Sequence, residues 1–313
     1  MRIAVIGAGG VGGVFGGLLA RAGNEVSFVA RGEHLQAIRA GGLRVHGPWG
    51  AFAVRCPAAV APEDLSSSGP FDVVLVALKA WQIREMAPRL RPLVGPWTVV
   101  VPLQNGVDAA STLVDALGAG SVAGGLCHVI AWREGPGEVR TTGTPLQITV
   151  GEIGGGGSPR LEELAGAIRA SGAGAVVADD VLAATWEKLL FIDPFSSVGA
   201  ASRAPLGVMR AEPRTRALLV AAAEEVAAVA RARRVRLPPD AVTRTVARYD
   251  ELPPSTTASM QRDVAAGRPS ELLEQTGAVV RLGEEAGVPV PVHRTLLALL
   301  LPQESAARGT GTG

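Results

Sequence analysis

The chain has 313 residues, a length that can bury a large core and that favours two domains. Its 30 basic and 29 acidic residues nearly balance, so no basic surface is expected for a nucleic-acid backbone. Two isolated cysteines and four scattered histidines predict neither a disulfide framework nor a metal site.

The first half of the chain alternates short β-branched runs with amphipathic helical patterns. The glycine run that begins at Gly154 predicts a turn before another helix. This alternation is typical of a parallel sheet with crossover helices. Strands are predicted at residues 3–6, 26–29, 72–78 and 98–103, with one or two more between 140 and 152.

From about Asp180 the pattern changes to long helical stretches with few strand candidates. We therefore predict an α/β fold in which a doubly wound (Rossmann) parallel-sheet domain, residues 1–178, precedes an all-helical catalytic and substrate-binding domain, residues 179–302. Residues 303–313 are predicted to form a disordered tail. The apolar run from Ala217 is interrupted by Glu224 and Glu225, so no membrane span is predicted and a cytoplasmic protein is expected.

The first predicted strand leads directly into a glycine-rich turn and then into a helix. Gly7, Gly9 and Gly12 stand in G-x-G-x-x-G register. In such a turn the first glycine permits the bend, the second lets the backbone approach a pyrophosphate, and the third lets helix and strand pack closely. We predict that the whole turn binds a dinucleotide, through Gly7, Ala8, Gly9, Gly10, Val11 and Gly12.

Ala30 and Arg31 follow the second predicted strand, where NAD-binding sites place a carboxylate for the adenosine ribose. The alanine leaves room for a 2′-phosphate, and the guanidinium of Arg31 offers paired donors to it. NADPH is therefore the predicted cofactor. In the alternative, Arg31 is a solvated loop residue and Glu33 takes the ribose contact.

Three polar residues are candidates for the ligand site. Lys79 and Asn105 each follow a predicted strand, and the carboxyl ends of parallel strands face the ligand crevice. Lys188 lies in the first helix of the second domain between apolar residues. Such a lysine either extends to water or is held in a cleft, and the pattern alone leaves both open.

Taken over the whole chain, these motifs resemble the ketopantoate reductases (2-dehydropantoate 2-reductases). The segments that carry the resemblance are GAGGVG, VARG, LKAWQ, QNG, WEKL and SMQRDVAAGRPSE. It implies that Lys188 is the general acid, that Glu271 lies beside it and near the cofactor, and that Ser259 helps to hold the substrate carboxylate. It also implies that Lys79 and Asn105 line the cofactor cleft, with Asn105 and Lys188 also near the substrate, and that Ala131 contacts the nicotinamide half through its backbone.

The chain departs from the resembled pattern at three substrate-side positions. Well-characterised members of that family carry asparagines where this chain has Ile192, Ser196 and Leu206. Ser196 is kept as a predicted substrate contact, and Ile192 and Leu206 are expected to make the far wall of the substrate pocket less polar.

The expected function is NADPH-dependent reduction of a 2-keto acid, with ketopantoate, which gives pantoate, as the first choice. An ammonium near the carbonyl would stabilise the developing oxyanion and supply its proton. Two alternatives stay open: a related 2-hydroxy or 3-hydroxy acid dehydrogenase with a less polar substrate, and a non-catalytic regulatory protein that binds NADPH. The sequence also leaves a homodimer open.

Overall fold

The computed structural model describes residues 1–309, which divide into two compact units. The first unit comprises residues 1–104 and 108–181, and the second comprises residues 105–107 together with the chain from Leu182 onward. The predicted boundary at residue 178 lies close to the last of these divisions. The assignment of residues 105–107 to the helical unit was not predicted.

The first unit combines strands and helices. Its strands are, in chain order, β1 (Arg2–Ile6), β2 (Glu25–Val29), β3 (Leu43–Gly47), β4 (Gly50–Val54), β5 (Ala58–Ala59), β6 (Val73–Val76), β7 (Val99–Pro102), β8 (Ala123–Gly135), β9 (Glu138–Glu152) and β10 (Gly174–Val177). Its helices are α1 (Gly10–Arg21), α2 (Gly32–Gly41), α3 (Ile83–Met86), α4 (Ala109–Leu117) and α5 (Pro159–Ala170).

The main sheet is parallel throughout, with the strand order β5-β2-β1-β6-β7. Its strands are apolar on both faces because both faces are covered. On one face Ile3 and Val5 pack in a cluster with Phe15 of α1. On the other face Ala4 and Ile6 pack with residues of α3 and α4. The predicted parallel sheet with crossover helices is confirmed.

A second, mixed sheet of order β10-β9-β3-β4, with β8 antiparallel to β9, was largely missed by the sequence analysis. The predicted strand between residues 140 and 152 is the main part of β9. The connection between β6 and β7 is only partly α-helical. Only α3 is α-helical there, and the chain continues as a 3₁₀ helix (Ala87–Leu93) because Pro88 and Pro92 remove backbone donors.

The second unit is helical in the part of the chain that the structure describes. Its helices are α6 (Val181–Ser202), α7 (Leu206–Ala211), α8 (Pro213–Ala232), α9 (Ala241–Glu251), α10 (Ser259–Ala265), α11 (Thr276–Ala286) and α12 (Pro291–Ala307). Its largest core cluster joins α6, α8 and α11 through small and branched apolar residues. Across residues 1–309, no helix is long and apolar enough to cross a membrane.

The predicted disordered tail is wrong for its first part. Helix α12 continues to Ala307, and Glu304 within it is almost fully buried. The prediction rested on the position of the segment at the end of the chain, and it missed the hydrogen bonds between Glu304 and Ser270, 34 positions earlier. Residues 310–313 of that predicted tail lie outside the described residues.

Candidate active site

The glycine turn between β1 and α1 has the geometry that its sequence predicts. Gly7 has φ +101°, and its N–H donates to the Val29 carbonyl at 3.0 Å. A Cβ on Gly12 would collide with the Gly7 carbonyl oxygen. Gly9 is the N-cap of α1 and has no side chain to accept the first backbone N–H groups of the helix. Those donors suit an anion such as a pyrophosphate, and a Cβ would fill the cradle around them.

The backbone of Ala131 lies directly beside this turn. A Cβ on Gly10 would lie 2.7 Å from the carbonyl carbon and oxygen of Ala131 on β8. The pairing of β8 with β9 is irregular between Val129 and Ala131. The structure therefore brings together two predicted cofactor contacts, Gly10 and Ala131, that are more than 100 positions apart in the chain.

Arg31 and Glu33 both lie at the carboxyl end of β2. Arg31 is exposed, occupies the N-cap position of α2, and has no ion-pair partner among residues 1–309. Glu33 is exposed in the first turn of the same helix, while Ala30 is buried. The geometry thus leaves both the predicted phosphate contact and its alternative, a ribose contact, available at this edge.

Lys79 follows β6 at the same edge of the parallel sheet. The Ala77 N–H donates to the Ile6 carbonyl at 2.8 Å, so the end of β6 lies next to the glycine turn. The Lys79 N–H donates to Gln82 Oε1 at 3.1 Å, and its Nζ lies 5.7 Å from the ring centroid of Trp81. Ala77, two residues before Lys79, therefore lies beside the glycine turn, and the contact of Lys79 with the cofactor stays a prediction.

Asn105 and Glu271 are joined within the second unit. The Nδ2 of Asn105 donates to Oε2 of Glu271 at 2.8 Å, and the Glu271 side chain is buried. Gly106 has φ +93°, and a Cβ there would lie 2.5 Å from the Glu274 carbonyl oxygen. Val107 packs against the core of the helical unit. The QNG turn thus holds Asn105 against Glu271 by a close approach that only glycine permits.

Lys188 lies near the middle of α6 and is half-buried. Its neighbours Trp186, Leu189 and Leu190 are buried in the core, which fixes the helix face that carries the lysine. Among residues 1–309, Lys188 has no ion-pair partner. The described contacts therefore do not join Lys188 to Glu271, although both belong to the same unit.

The remaining predicted substrate residues differ in accessibility. Ser259 is half-buried at the start of α10, and Ile192 is half-buried on α6 one turn after Lys188. Ser196 is fully buried, and its Oγ has no hydrogen-bond partner in the described part of the chain. Its contact with a substrate stays a prediction, because a fully buried hydroxyl could meet one only after local rearrangement. Leu206 is also fully buried, in a core cluster with Met209, so its expected role in a pocket wall likewise stays a prediction.

A buried ionic network in the second unit was missed by the sequence analysis. His293 Nε2 lies 2.7 Å from Asp193 Oδ2, and its Nδ1 lies 2.6 Å from Glu225 Oε2. The Thr276 hydroxyl donates to Asp193 Oδ1 at 2.6 Å. Burial lowers the pKa of His293, but hydrogen bonds and charge from the two carboxylates outweigh it and raise this pKa to about 9. The available signal was Asp193 itself, an acidic residue within an otherwise apolar helical stretch.

Two family models match the chain. The model described as "Ketopantoate reductase PanE/ApbA" matches residues 3–155, and its C-terminal counterpart matches residues 180–304. The chain belongs to the ketopantoate reductase family. As a ketopantoate reductase family member it is an oxidoreductase, which confirms the resemblance drawn from its motifs.

Individual relatives agree with this assignment. A 2-dehydropantoate 2-reductase from Mesorhizobium japonicum is 31 % identical over 96 % of this chain and 97 % of its own. A crystal structure of a PanE/ApbA family ketopantoate reductase from Ralstonia eutropha matches with a TM-score of 0.89 and 33 % identity, covering 98 % of this chain and all of the other. A D-mandelate dehydrogenase, solved with NADH and anilino(oxo)acetate, also matches with a TM-score of 0.89 and covers 98 % and 99 % of the two chains. At 23 % identity it shares the fold.

Proposed function

We propose that this ketopantoate reductase family member reduces a small 2-keto acid with NADPH, and that ketopantoate is the first substrate to test. The observation that carries the proposal is Lys188, a half-buried ammonium without an ion-pair partner among the described residues. A cation held at an apolar helix surface is available to a ligand oxygen, whereas a cation already paired with a carboxylate is not.

The scarcity of lysine in the chain further supports Lys188 as the proton donor. Only two of the 30 basic residues are lysines, Lys79 and Lys188. Arginine cannot donate a proton at neutral pH because its guanidinium stays charged, whereas a lysine ammonium can give up a proton and regain it. A chain that otherwise uses arginine keeps lysine at two positions predicted to lie in the active site.

In the proposed mechanism the protein binds and orients the substrate, and it holds a proton at Lys188 Nζ. NADPH, when bound, supplies the hydride. The Lys188 ammonium donates a hydrogen bond to the ketone oxygen, stabilises the negative charge that develops there, and transfers its proton to that oxygen. Ser259 is assigned to the substrate carboxylate. Glu271, held by Asn105, would orient the ammonium group and help to hold the cofactor.

The cofactor assignment has two supports in the first unit. The glycine turn provides free backbone donors and a space that a Cβ would fill, which fits a pyrophosphate. Arg31 adds an exposed guanidinium at the strand end where a carboxylate would favour NAD. We assign NADPH preference to Arg31 and retain the ribose contact of Glu33 as the alternative.

The side chain of Ile192 bears on the choice of substrate. It is half-buried one helical turn after Lys188, at a position where the family resemblance implies an asparagine. An apolar branched side chain cannot hydrogen-bond a substrate hydroxyl, and it favours an apolar substituent. This residue therefore supports, as a second candidate, a 2-hydroxy acid dehydrogenase acting on substrates less polar than ketopantoate.

The test is NADPH oxidation against a panel of 2-keto acids graded in side-chain polarity, including ketopantoate. Ketopantoate as the preferred substrate would support the first assignment, and a preference for apolar keto acids would support the second. An Ile192→Asn variant should then shift kcat/KM toward ketopantoate. If NADPH binds in a titration but no keto acid in the panel is reduced, the reductase proposal is wrong and a non-catalytic NADPH-binding role is favoured.

A further inference from the structure

Residues at the C-terminal end of α12 form hydrogen bonds with Ser270, the residue that precedes Glu271. Both carboxylate oxygens of Glu304 accept the Ser270 N–H, at 3.0 and 3.1 Å, and Oε2 also accepts the Ser270 hydroxyl at 2.5 Å. Arg308 donates from Nε to Glu304 Oε1 at 2.5 Å and from Nη2 to the Ser270 carbonyl at 2.9 Å. We call Ser270, Glu304 and Arg308 the Ser270 clamp.

Two members of the clamp are buried, and their polar groups are hydrogen-bonded. Ser270 is 0 % exposed and Glu304 is 2 % exposed. Burial of a carboxylate costs free energy unless the group is paired and hydrogen-bonded. The Glu304 carboxylate accepts hydrogen bonds from an arginine, a backbone N–H and a hydroxyl. The N–H, carbonyl and hydroxyl of Ser270 are all engaged, so its backbone is fixed from both sides.

The backbone around Glu271 has little regular structure of its own. Helix α10 ends at Ala265 and α11 begins at Thr276, so Glu271 lies between them, in a turn where its carbonyl accepts the Gln275 N–H at 3.0 Å. Neighbouring Cα atoms are about 3.8 Å apart, so a shift of Ser270 moves Glu271 with little attenuation. Asn105 Nδ2 donates to Glu271 Oε2 at 2.8 Å, a hydrogen bond that a small displacement of the Glu271 backbone would lengthen.

We propose that Glu304 and Arg308 are positioning residues of this enzyme, which act through Ser270 to aim the Glu271 carboxylate. The proposal rests on the proposed function, in which Glu271 orients the proton donor. Neither residue of the α12 end is assigned a contact with substrate or cofactor. Their effect on catalysis therefore passes through Glu271 and disappears when Glu271 no longer acts.

A double-mutant cycle tests this dependence with the full-length enzyme and the keto acid identified by the panel. Glu304→Gln keeps the size of the side chain but loses its charge, and we expect kcat to fall about tenfold or more. Ser270→Ala, a milder change, should lower kcat by about threefold, and Ser270→Thr, which keeps the hydroxyl, should stay within about twofold of the parent. In a Glu271→Gln background, adding Glu304→Gln should change kcat by less than about twofold.

The matched control is Glu284→Gln on α11, which breaks an exposed ion pair with Arg294 and should leave kcat unchanged. An equal fall in kcat with and without Glu271 would overturn the proposal, since the clamp would then act on stability or on another residue. Unchanged kcat in folded Glu304→Gln or Ser270→Ala would overturn it too. If Glu304→Gln does not fold, kcat of Ser270→Ala and Ser270→Thr is compared with and without Glu271→Gln, and the same outcomes support or overturn the proposal.

Hydrogen exchange separates this proposal from the function on which it rests. In Ser270→Ala, amides of residues 270–276 should exchange about tenfold faster than in the parent, while those of α8 should not change. If no keto acid is reduced but amides 270–276 exchange faster in Ser270→Ala, the proposed function is wrong. The conclusion that the clamp fixes the Glu271 segment is then still supported. If exchange across residues 270–276 is unchanged, the clamp does not hold the segment and the inference is wrong.

Discussion

His293 and Asp193, 100 positions apart in the chain, form an ion pair in which neither side chain has any exposed surface. Glu225 closes the other side of the imidazole and also accepts the backbone N–H groups of Val292 and His293 at the start of α12. The network therefore ties α12 to α6 and α8. Because α6 also carries Lys188, the network contributes to the stability of the fold and to the position of a candidate catalytic residue.

This network predicts a loss of stability in alkaline solution. The folded-state pKa of His293, about 9, lies above its ordinary value of 6.5, so the stabilisation is fully present below pH 6.5 and is lost as pH rises through 9. The free energy of unfolding should fall by about 3 kcal/mol across that window. Urea unfolding at pH 6, 7.5 and 9 measures it. A His293→Gln variant should be less stable at pH 6 and should lack this part of the pH slope; an unchanged slope in the variant would rule out His293 as its source.

Lys188→Ala is expected to lower kcat by about 10²- to 10⁴-fold, because a positioned acid contributes that much, while the dissociation constant of NADPH stays within about threefold. Steady-state kinetics and a binding titration measure the two effects. Lys188→Arg is the matched variant, since it keeps the positive charge but cannot donate a proton, and its kcat should also fall by about 10²-fold or more. Near-normal turnover in Lys188→Arg would show that charge alone suffices and that the proton comes from another group.

Arg31→Ala should weaken NADPH binding by about ten- to a hundredfold, since it removes a charge-assisted contact to the 2′-phosphate. NADH binding should change by less than about threefold, because NADH has no such phosphate. Titrations of both cofactors make the comparison. The control is Glu33→Gln: if Glu33 contacts the ribose instead, this variant will weaken both cofactors and Arg31→Ala will weaken neither.

Gly106→Ala should destabilise the protein by about 2–4 kcal/mol, since the residue has φ +93° and a Cβ would lie 2.5 Å from the Glu274 carbonyl oxygen. Gly287 provides the matched control. It also has a positive φ, +67°, but no atom lies within 4 Å of its Cβ position, so Gly287→Ala should cost only about 1 kcal/mol. Urea unfolding of both variants isolates the steric contribution; equal losses would mean that the close approach at Gly106 relaxes freely.

The parts of the fold that the sequence predicted are those set by local pattern. The strands of the parallel sheet are continuously apolar and β-branched because both their faces are covered, and the glycine turn follows the first of them. In the second sheet, the pairing of β3 with β9 was missed because it joins distant parts of the chain, as between Arg44 and Glu138. The short alternating runs of β3 and β4 carry little signal alone.

The candidate site was predictable to a similar degree. The glycine turn, Arg31 and Lys79 were selected from strand ends, and Lys188 from its apolar helical surroundings. The role of Lys188 and the choice of Glu271 and Ser259 came from the family resemblance. The hydrogen bond between Asn105 and Glu271 spans 166 positions, and neither residue's neighbours signal it. Glu304 was assigned to a disordered tail because its partner, Ser270, lies 34 positions earlier, outside the reach of a local sequence pattern.

The assignment of residues 105–107 to the helical unit has a practical consequence for protein engineering. A fragment cut at residue 182 would lose the Asn105 amide from Glu271 and Val107 from the core, so it would not be an independent module. Chimaeras that exchange helical units between relatives, for example to transplant substrate preference, should therefore carry the tripeptide Asn105–Val107 with the residues that follow Val181. A chimaera joined at that single point would pair the tripeptide of one parent with the glutamate of another.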